Sequence, residues 1–527
     1  MISPRIRVER LTNVQEIRTF RKHLRSLTQR LHGSPYDPSV WIRRSDVLLS
    51  MGYPELATSD AYKALILIRK SRNPRSGLAA RVNHHLAIGQ SSTAISNELQ
   101  RCAAEENAML ALAQALLLAN CLQESLDYAL LAVTTYPKNI KLRSVLAAVQ
   151  RAYDHDQLES ETDENLEVMD ALEECEYRRS GHVLSQSYPW MKPDLFSRAA
   201  DLNISLQRQI LRASWSQCRL EQSTIREGMP SADRSEGLSE VFGVMATEDI
   251  ARKEMLLIDH TAACAVDDPM DRCSCCCGLL PASSVHVKCC STRYCSRFCA
   301  DHALATYHLA VCGKDLSKFE KAHRKNLATP EKAADEMLLL RVLAGAVQHS
   351  TAHPLCTPFV NQLTAMYDGN KHQPFDCKTN IVGTFKMLTC LGVDIFANHN
   401  FDTWVLQTLR ARIGNNAREY SIDGHAHIAI NPLYSFFNHS CEPNVKWEDD
   451  KSMHSSSIRM HTLRSVTKGE ELLINYQEEL SKEPYLERRK ILRQWLGSDC
   501  QCKRCVDEEV ADQLRQGIKF PSVLSQY

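Results

Sequence analysis

The chain has no excess of charge of either sign: 63 Lys and Arg balance 63 Asp and Glu among 527 residues. Proteins that bind duplex nucleic acid need a basic surface to displace its counterions, so this balance disfavours that class. The opening MISPRIRVERL lacks the apolar core of a secretory signal, and the most apolar stretch, Met109 to Ala119, is too short to cross a bilayer. An intracellular chain, in cytoplasm or nucleus and without a membrane partner, is expected. From Asp154 to Glu176 there is no Lys or Arg against eleven acidic residues, the composition of a solvated linker or exposed helix face. The first fifty residues, with ten basic and four acidic, could attract that segment, although solvated surface explains both equally well.

Absent a secretion signal, the 21 cysteines point away from a disulfide framework, because intracellular thiols are kept reduced. Metal binding becomes the leading explanation, and the distribution sharpens it. Nine cysteines lie between Cys273 and Cys312, and three more form Cys500-Gln-Cys502-Lys-Arg-Cys505. The remainder are mostly scattered in apolar contexts, where a small buried thiol is the simpler reading.

The length allows two or three buried cores. Residues 15–150 read as helices, and two stretches fit a tetratricopeptide unit. In the first, Trp41, Leu48, Gly52, Ala57, Ala61 and Ala64 take its packing positions. In the second, 68 residues on, Leu112, Leu116, Ala129, Ala132 and Pro137 do so. A generic helical bundle with alanine-rich contacts accounts for the same residues, and the intervening GQSSTAIS fits poorly. Residues 151–235 read as the acidic linker followed by a helical segment. Around Glu240 the texture turns to β-branched residues with glycine, which marks a domain boundary.

The ligand pattern is Cys273-x2-Cys276, His286-x2-Cys289, Cys295-x3-Cys299 and His308-x3-Cys312, with nine, five and eight residues between the pairs. Eight soft or borderline ligands in four pairs are the number that closes two tetrahedral zinc sites. A segment of about forty residues buries too little core to fold alone, so zinc would supply the folding energy. This segment resembles the MYND finger, including its YCS step and closing H-x3-C. The resemblance implies interleaved pairs: Cys273, Cys276, Cys295 and Cys299 on one zinc, His286, Cys289, His308 and Cys312 on the other. His286 stands where the family usually has cysteine; Cys290, Cys275 or Cys277 could replace it in a shifted register. Otherwise Cys290 and His302 read as bystanders.

Downstream stand Tyr434-Ser-Phe-Phe-Asn438-His439-Ser440-Cys441 and Lys468-Gly-Glu470-Glu471-Leu-Leu-Ile-Asn-Tyr476. Singly, these read as a turn, a hairpin and a core tyrosine. In this order, and followed by Cys-x-Cys-x2-Cys, they resemble the SET domain of protein lysine methyltransferases. EVFGVMATEDIARKEMLLID resembles its opening strands. The order of parts is similar to SET and MYND proteins with helical repeats in front.

The resemblance implies an α+β chain. A helical tetratricopeptide-like region (15–150) and the linker precede a SET core split into 236–268 and 413–478. Between those parts lie the finger (273–312) and a helical insertion (313–412); a post-SET zinc segment (479–506) and a tail (507–527) follow. It implies methyl transfer from S-adenosylmethionine to a lysine of a protein substrate. Gly243, Val244, Asn416, Asn438, His439 and Tyr476 would hold the cofactor, with Tyr476 catalytic, and Cys441 would complete a third zinc site with Cys500, Cys502 and Cys505. Peptide partners for the finger and helices are implied, and nucleic acid is not. Val241 departs from the family's first-strand Gly-x-Gly. Leu496 and Ser498 stand where relatives often carry aromatic channel residues, with Trp495 adjacent. The alternative is a non-enzymatic adaptor on a degenerate SET scaffold.

Overall fold

The structure is a computed structural model that describes residues 14–86, 94–161, 181–192, 195, 200–223, 242–316, 329–350, 352–365, 372–449, 457–496 and 498–515. GQSSTAIS is largely outside these residues, as are Val241 and most of the acidic segment, of which Asp154–Glu161 continues a helix. The chain divides into two units. One comprises Met1–Leu184 and His372–Leu406, the other Ser185–Lys371 and Gln407–Tyr527.

The first unit is helical: α1 (Val14–Gly33), α2 (Pro38–Ser50), α3 (Pro54–Ser71), α4 (Ala79–His85), α5 (Ala94–Leu118), α6 (Leu122–Thr135) and α7 (Ile140–Glu161). Local chemistry sets these ends. Asp37 caps α2 by accepting from the Ser39 N–H, and Pro38 occupies the first turn, where no N–H is missed. Gly52, at φ +84°, turns the chain so that Tyr53 N–H bonds back to the Leu48 carbonyl, and Pro54 then opens α3. The two stretches read as repeat units fall on α2–α3 and α5–α6, which pack as consecutive pairs with α3 also against α5, and Trp41, Ala57, Ala61, Ala64, Ala129 and Ala132 are all buried.

Residues 372–406, expected within a helical insertion of the second unit, fold with these helices instead. Strand β1 (Gly181–Leu184) pairs antiparallel with β8 (His372–Phe375). Arg44 bonds Asp60 at 2.6 Å and reaches Asp402 at 3.0 Å, while Lys63 lies 3.4 Å from Asp402. All four are buried, and the Arg44 and Lys63 cations lie 4.7 and 4.4 Å from the Trp41 ring centre. Buried charges are tolerated when each is paired, as here. The sequence offered no signal that Asp402, some 340 residues away, would complete this group.

The second unit mixes small sheets with helices. Its strands are β2 (Cys218–Gln222), β3 (Phe242–Ala246), β4 (Met255–Asp259), β5 (Ala263–Val266), β6 (Val285–His286), β7 (Arg293–Tyr294), β9 (Ala417–Ile422), β10 (His425–Ile430), β11 (Asn438–His439), β12 (Val445–Asp449), β13 (Ile458–Thr462) and β14 (Leu473–Ile474). Strands before the cysteine-rich segment pair with strands after it: β5 with β10, and β4 with β13. β3 pairs with β2, and its residues Val244 and Ala246 also bond Leu472 and Glu470. The helices in chain order are α8 (Ala200–Ala213), α9 (Arg297–Thr306), the single turn α10 (His308–Val311), α11 (Pro330–Gln348), α12 (Thr384–Cys390, in the first unit), α13 (Thr403–Asn416, divided between the units), α14 (Tyr485–Leu496) and α15 (Lys503–Arg515). One core joins Val244, Leu256, Leu257, Phe436, Phe437, Met460, Leu472 and Ile474. Among the described residues no helix is long and apolar enough to cross a membrane.

Candidate active site and zinc centres

Strands β11 and β14 are each two residues long and run parallel, with Asn438 opposite Leu473 and His439 opposite Ile474. This pairing brings the NHSC and INY segments, more than thirty positions apart in sequence, to one point. The approach to β11 is fixed from below by Asp259. Its buried carboxylate accepts from the N–H groups of Leu433 and Tyr434, at 2.8 and 2.7 Å, and shapes the turn Tyr434–Phe436. Burial pushes the Asp259 carboxyl up to about 7, against these bonds and the nearby Arg418 cation, which pull it down. Asn431 bonds the Asp259 carbonyl and Thr261, and is itself held by Arg418.

Tyr476 is half-buried, and its hydroxyl donates to the Phe437 carbonyl at 3.1 Å. Its backbone N–H donates to Nδ1 of His439 at 3.1 Å. Because Nδ1 is an acceptor, a neutral ring carries its proton on Nε2, which then donates to the Cys441 sulfur 3.3 Å away. Burial lowers the His439 pKa to about 4, so the ring is neutral near pH 7. His439 thus joins the tyrosine to a cysteine cluster, and both ring nitrogens are engaged within the protein.

Asn438 is likewise engaged: its amide nitrogen lies 2.8 Å from Glu471 Oε1, and 3.1 Å from both Ser223 Oγ and the Phe242 carbonyl. Gly243 and Val244 lie beside it on β3, Val244 fully buried in the core. Asn416 is elsewhere occupied, its amide donating to the Thr364 and Arg412 carbonyls at the end of α13.

Three groups of cysteine and histidine could each hold a metal ion. Cys273, Cys276, Cys295 and Cys299 form the first, and Cys441, Cys500, Cys502 and Cys505 the third, the latter wholly buried. Zinc–sulfur bonds of about 2.3 Å in a tetrahedron put sulfurs about 3.8 Å apart. The observed separations are 3.5 Å for Cys276–Cys295 and Cys295–Cys299, 3.6 Å for Cys441–Cys505 and 4.0 Å for Cys441–Cys500. These donor sets fit zinc. In the third group Arg488, fully buried, lies 3.3 Å from the Cys505 sulfur and offsets thiolate charge, with Glu508 beside it.

The second group differs in one member from the expected ligand set. It comprises Cys289, Cys290, His308 and Cys312; His286 is not in it, and Cys290, read as a bystander, takes the fourth place. His286 sits on β6 paired with Arg293 and is exposed, while the next residue, Val287, turns inward. Cys275 and Cys277 also stay out: Cys277 packs against Cys264, with sulfurs 3.7 Å apart, and the Cys275 carbonyl accepts from Arg341. Nε2 of His308 lies 3.2 Å from the Cys289 sulfur, and buried Tyr294 bonds its Nδ1 at 2.9 Å, an arrangement that orients the imidazole as a ligand. With three zincs bound per chain, Cys290→Ala is expected to lose one and His286→Ala to keep all three. Metal analysis of the two purified variants reads this directly, and the opposite result would restore the original register.

Tyr294, Asp259, Arg488 and Glu471 escaped the sequence reading. No local spacing distinguishes Arg488 from ordinary core residues, whereas Tyr294, Asp259 and Glu471 each stood inside a quoted motif without a role of their own.

Strands on both sides of the cysteine-rich segment pair with one another, and the β11–β14 junction sits beside Tyr476 and the buried cysteine cluster. Residues 241–477 match the family model described as SET domain, so the chain carries a SET domain. It is similar to a histone-lysine N-methyltransferase of Arabidopsis thaliana, 38% identical over 89 residues, which are 16% of this chain and 25% of that protein. It is also similar to a putative SET domain-containing protein of Acanthamoeba polyphaga mimivirus, 34% identical over 114 residues (22% and 41%). A SET and MYND domain-containing protein of Dictyostelium discoideum is 32% identical over 83 residues (15% and 22%). The matches thus span between 22% and 41% of the length of these relatives.

Proposed function

We propose that the chain is a protein-lysine N-methyltransferase that takes S-adenosylmethionine as methyl donor, with the residues on either side of the finger acting as one split SET domain. The single observation that carries this reading is the Tyr476 constellation: a half-buried hydroxyl anchored on the Phe437 carbonyl, beside β11 and a buried four-cysteine cluster. The names of relatives, histone-lysine N-methyltransferase among them, support the same chemistry.

The lining beside Tyr476 suits an amine on an aliphatic stem. Tyr476, Tyr485, Trp495, Leu496 and Leu480 pack against the cysteine cluster and offer aromatic and aliphatic surface to a lysine stem. When bound, S-adenosylmethionine supplies an electrophilic methyl carbon. The residues of this chain position the amine and keep water out. With its own proton on the Phe437 carbonyl, the Tyr476 oxygen has lone pairs for an amine N–H, and so orients a neutral nucleophile. A lysine at about pKa 10.4 in water must shed its proton, and an apolar aromatic wall favours the neutral form. The zinc groups contribute fixed geometry, the third by tying α14 and α15 to β11.

The discriminating experiment is incubation of purified chain with radiolabelled S-adenosylmethionine and a whole-cell lysate, followed by amino-acid analysis of labelled proteins. Methyl-lysine that disappears with heat-killed protein is expected. Labelling no greater than the heat-killed control would favour an adaptor role instead.

A further inference from the structure

We propose that Glu471 is a positioning residue, a buried carboxylate clamp that holds Asn438 at the cofactor edge, and that position 243 is glycine to make room for it. The part of this inference that concerns the cofactor rests on the methyltransferase reading above; the clamp itself does not.

The family resemblance placed Gly243 among the residues that would hold the cofactor. The structure fills the space beside it with protein. A Cβ at position 243 would lie 2.2 Å from Glu471 Oε1, 2.8 Å from its carboxyl carbon and 3.2 Å from the Asn438 amide nitrogen. No heavy-atom contact of that kind survives at 2.2 Å, so any side chain here must displace the carboxylate. Gly243 does not adopt a left-handed backbone, which leaves space rather than conformational freedom as what the position demands.

What the carboxylate does there follows from its partners. Oε1 accepts from the Asn438 amide and from the Ser223 hydroxyl, both at 2.8 Å, and Ser223 Oγ in turn accepts from the same amide at 3.1 Å. The Phe242 carbonyl takes the remaining approach to that amide. Four segments meet at one group: the end of β2, the start of β3, β11 and the residues before β14. The backbone reinforces the same junction, with Leu472 N–H on the Val244 carbonyl at 2.8 Å. Hydrogen bonds to an ionised acceptor are stronger than neutral ones, and a removed partner leaves buried donors unpaired.

The two adjacent glutamates therefore differ in kind. Glu470 accepts from Thr467 and Arg464 at the exposed turn and ties Asn444, the ordinary work of a hairpin cap. Glu471 is 5% exposed and faces inward. It touches no reacting atom and acts through Asn438, whose place on β11 sets that of His439 and Tyr476.

The test is a double-mutant cycle in the full chain, with Gly243→Ala, Glu471→Ala, the pair, and Glu471→Gln. Two readouts are taken: melting temperature, and affinity for S-adenosylhomocysteine by calorimetry. Each single alanine variant is expected to melt about 3–8 °C lower. The pair should melt no lower than Glu471→Ala alone, because removing the carboxylate empties the space that the new Cβ needs. Gly243→Ala should weaken binding about tenfold in the native background and not further beside Glu471→Ala. Glu471→Gln, whose amide oxygen still accepts from Asn438 and Ser223, should recover most of both losses. Should Glu471→Ala fail to fold, Glu471→Ser provides the second small-side-chain background. A Gly243→Ala cost that is undiminished when Glu471 is absent overturns the clamp. Coupled melting with no cofactor binding by the native chain upholds the clamp and defeats the methyltransferase reading; binding without coupling does the reverse.

Discussion

Tyr476→Phe is expected to lower methyl transfer by about a hundredfold or more while S-adenosylhomocysteine affinity changes only a few-fold. The size follows from the loss of a preorganised polar group that acts on the reacting amine, an effect of about 10²–10³ where such groups have been deleted. The asymmetry follows from where the hydroxyl is engaged. Its hydrogen is committed to the Phe437 carbonyl, and the ring keeps its packing against His439, 5.1 Å between ring centres. Losing one bond to a carbonyl costs about 1 kcal/mol of stability, too little to unfold the domain. Single-turnover rates measured beside binding isotherms separate the two effects. Native turnover in the Phe variant would remove Tyr476 from the site, and a parallel loss of affinity would make it a binding residue.

For Cys441→Ser the expected result is loss of one zinc of three, ready proteolysis within 485–515, and turnover reduced about tenfold to a hundredfold although Tyr476 is untouched. Cys441 lies 3.6 Å from Cys505 and 4.0 Å from Cys500, so a metal held by them would tie α14 and α15 to the segment after β11. Metal binding by such a set carries about 10–16 kcal/mol of apparent free energy, far more than the few contacts this segment otherwise makes. The loss would reach the tyrosine along a short path. His439 bonds the Cys441 sulfur through Nε2 and the Tyr476 N–H through Nδ1, so a displaced sulfur releases the ring that holds the tyrosine backbone. Zinc content by elemental mass spectrometry and the cleavage pattern under limited proteolysis are the measurements. A serine variant with three zincs and an intact 485–515 segment would exclude Cys441 as a ligand.

The cysteine spacing carried much of this molecule because metal ligation is local chemistry. Pairs separated by two or three residues supply two ligands from one turn, and those pairs are visible in any register. His286 shows where that legibility stops. Spacing alone allowed His286, Cys290, Cys275 or Cys277, and the folded chain gathers Cys290 with Cys289, His308 and Cys312, with His286 paired to Arg293 outside that group. For Asn416 the sequence likewise held no sign that its amide donates to the Thr364 carbonyl.

By itself the sequence determined a multi-domain chain of mixed helix and sheet, helices first, with three cysteine-rich groups and a SET motif set around Asn438, His439 and Tyr476. The helices and the close cysteine pairs are written in periodicities and spacings shorter than one element; the SET motifs and the place of Cys441 were legible only through resemblance to a known family. Only the tertiary structure decided which residues meet across long separations. Asp402 joins Arg44 and Lys63, residues 372–406 fold with the first helices, and Glu471 fills the space beside Gly243. Such meetings are set by strand pairing and by satisfying buried polar groups, constraints that act on the folded chain as a whole and leave no local trace in the residues that obey them.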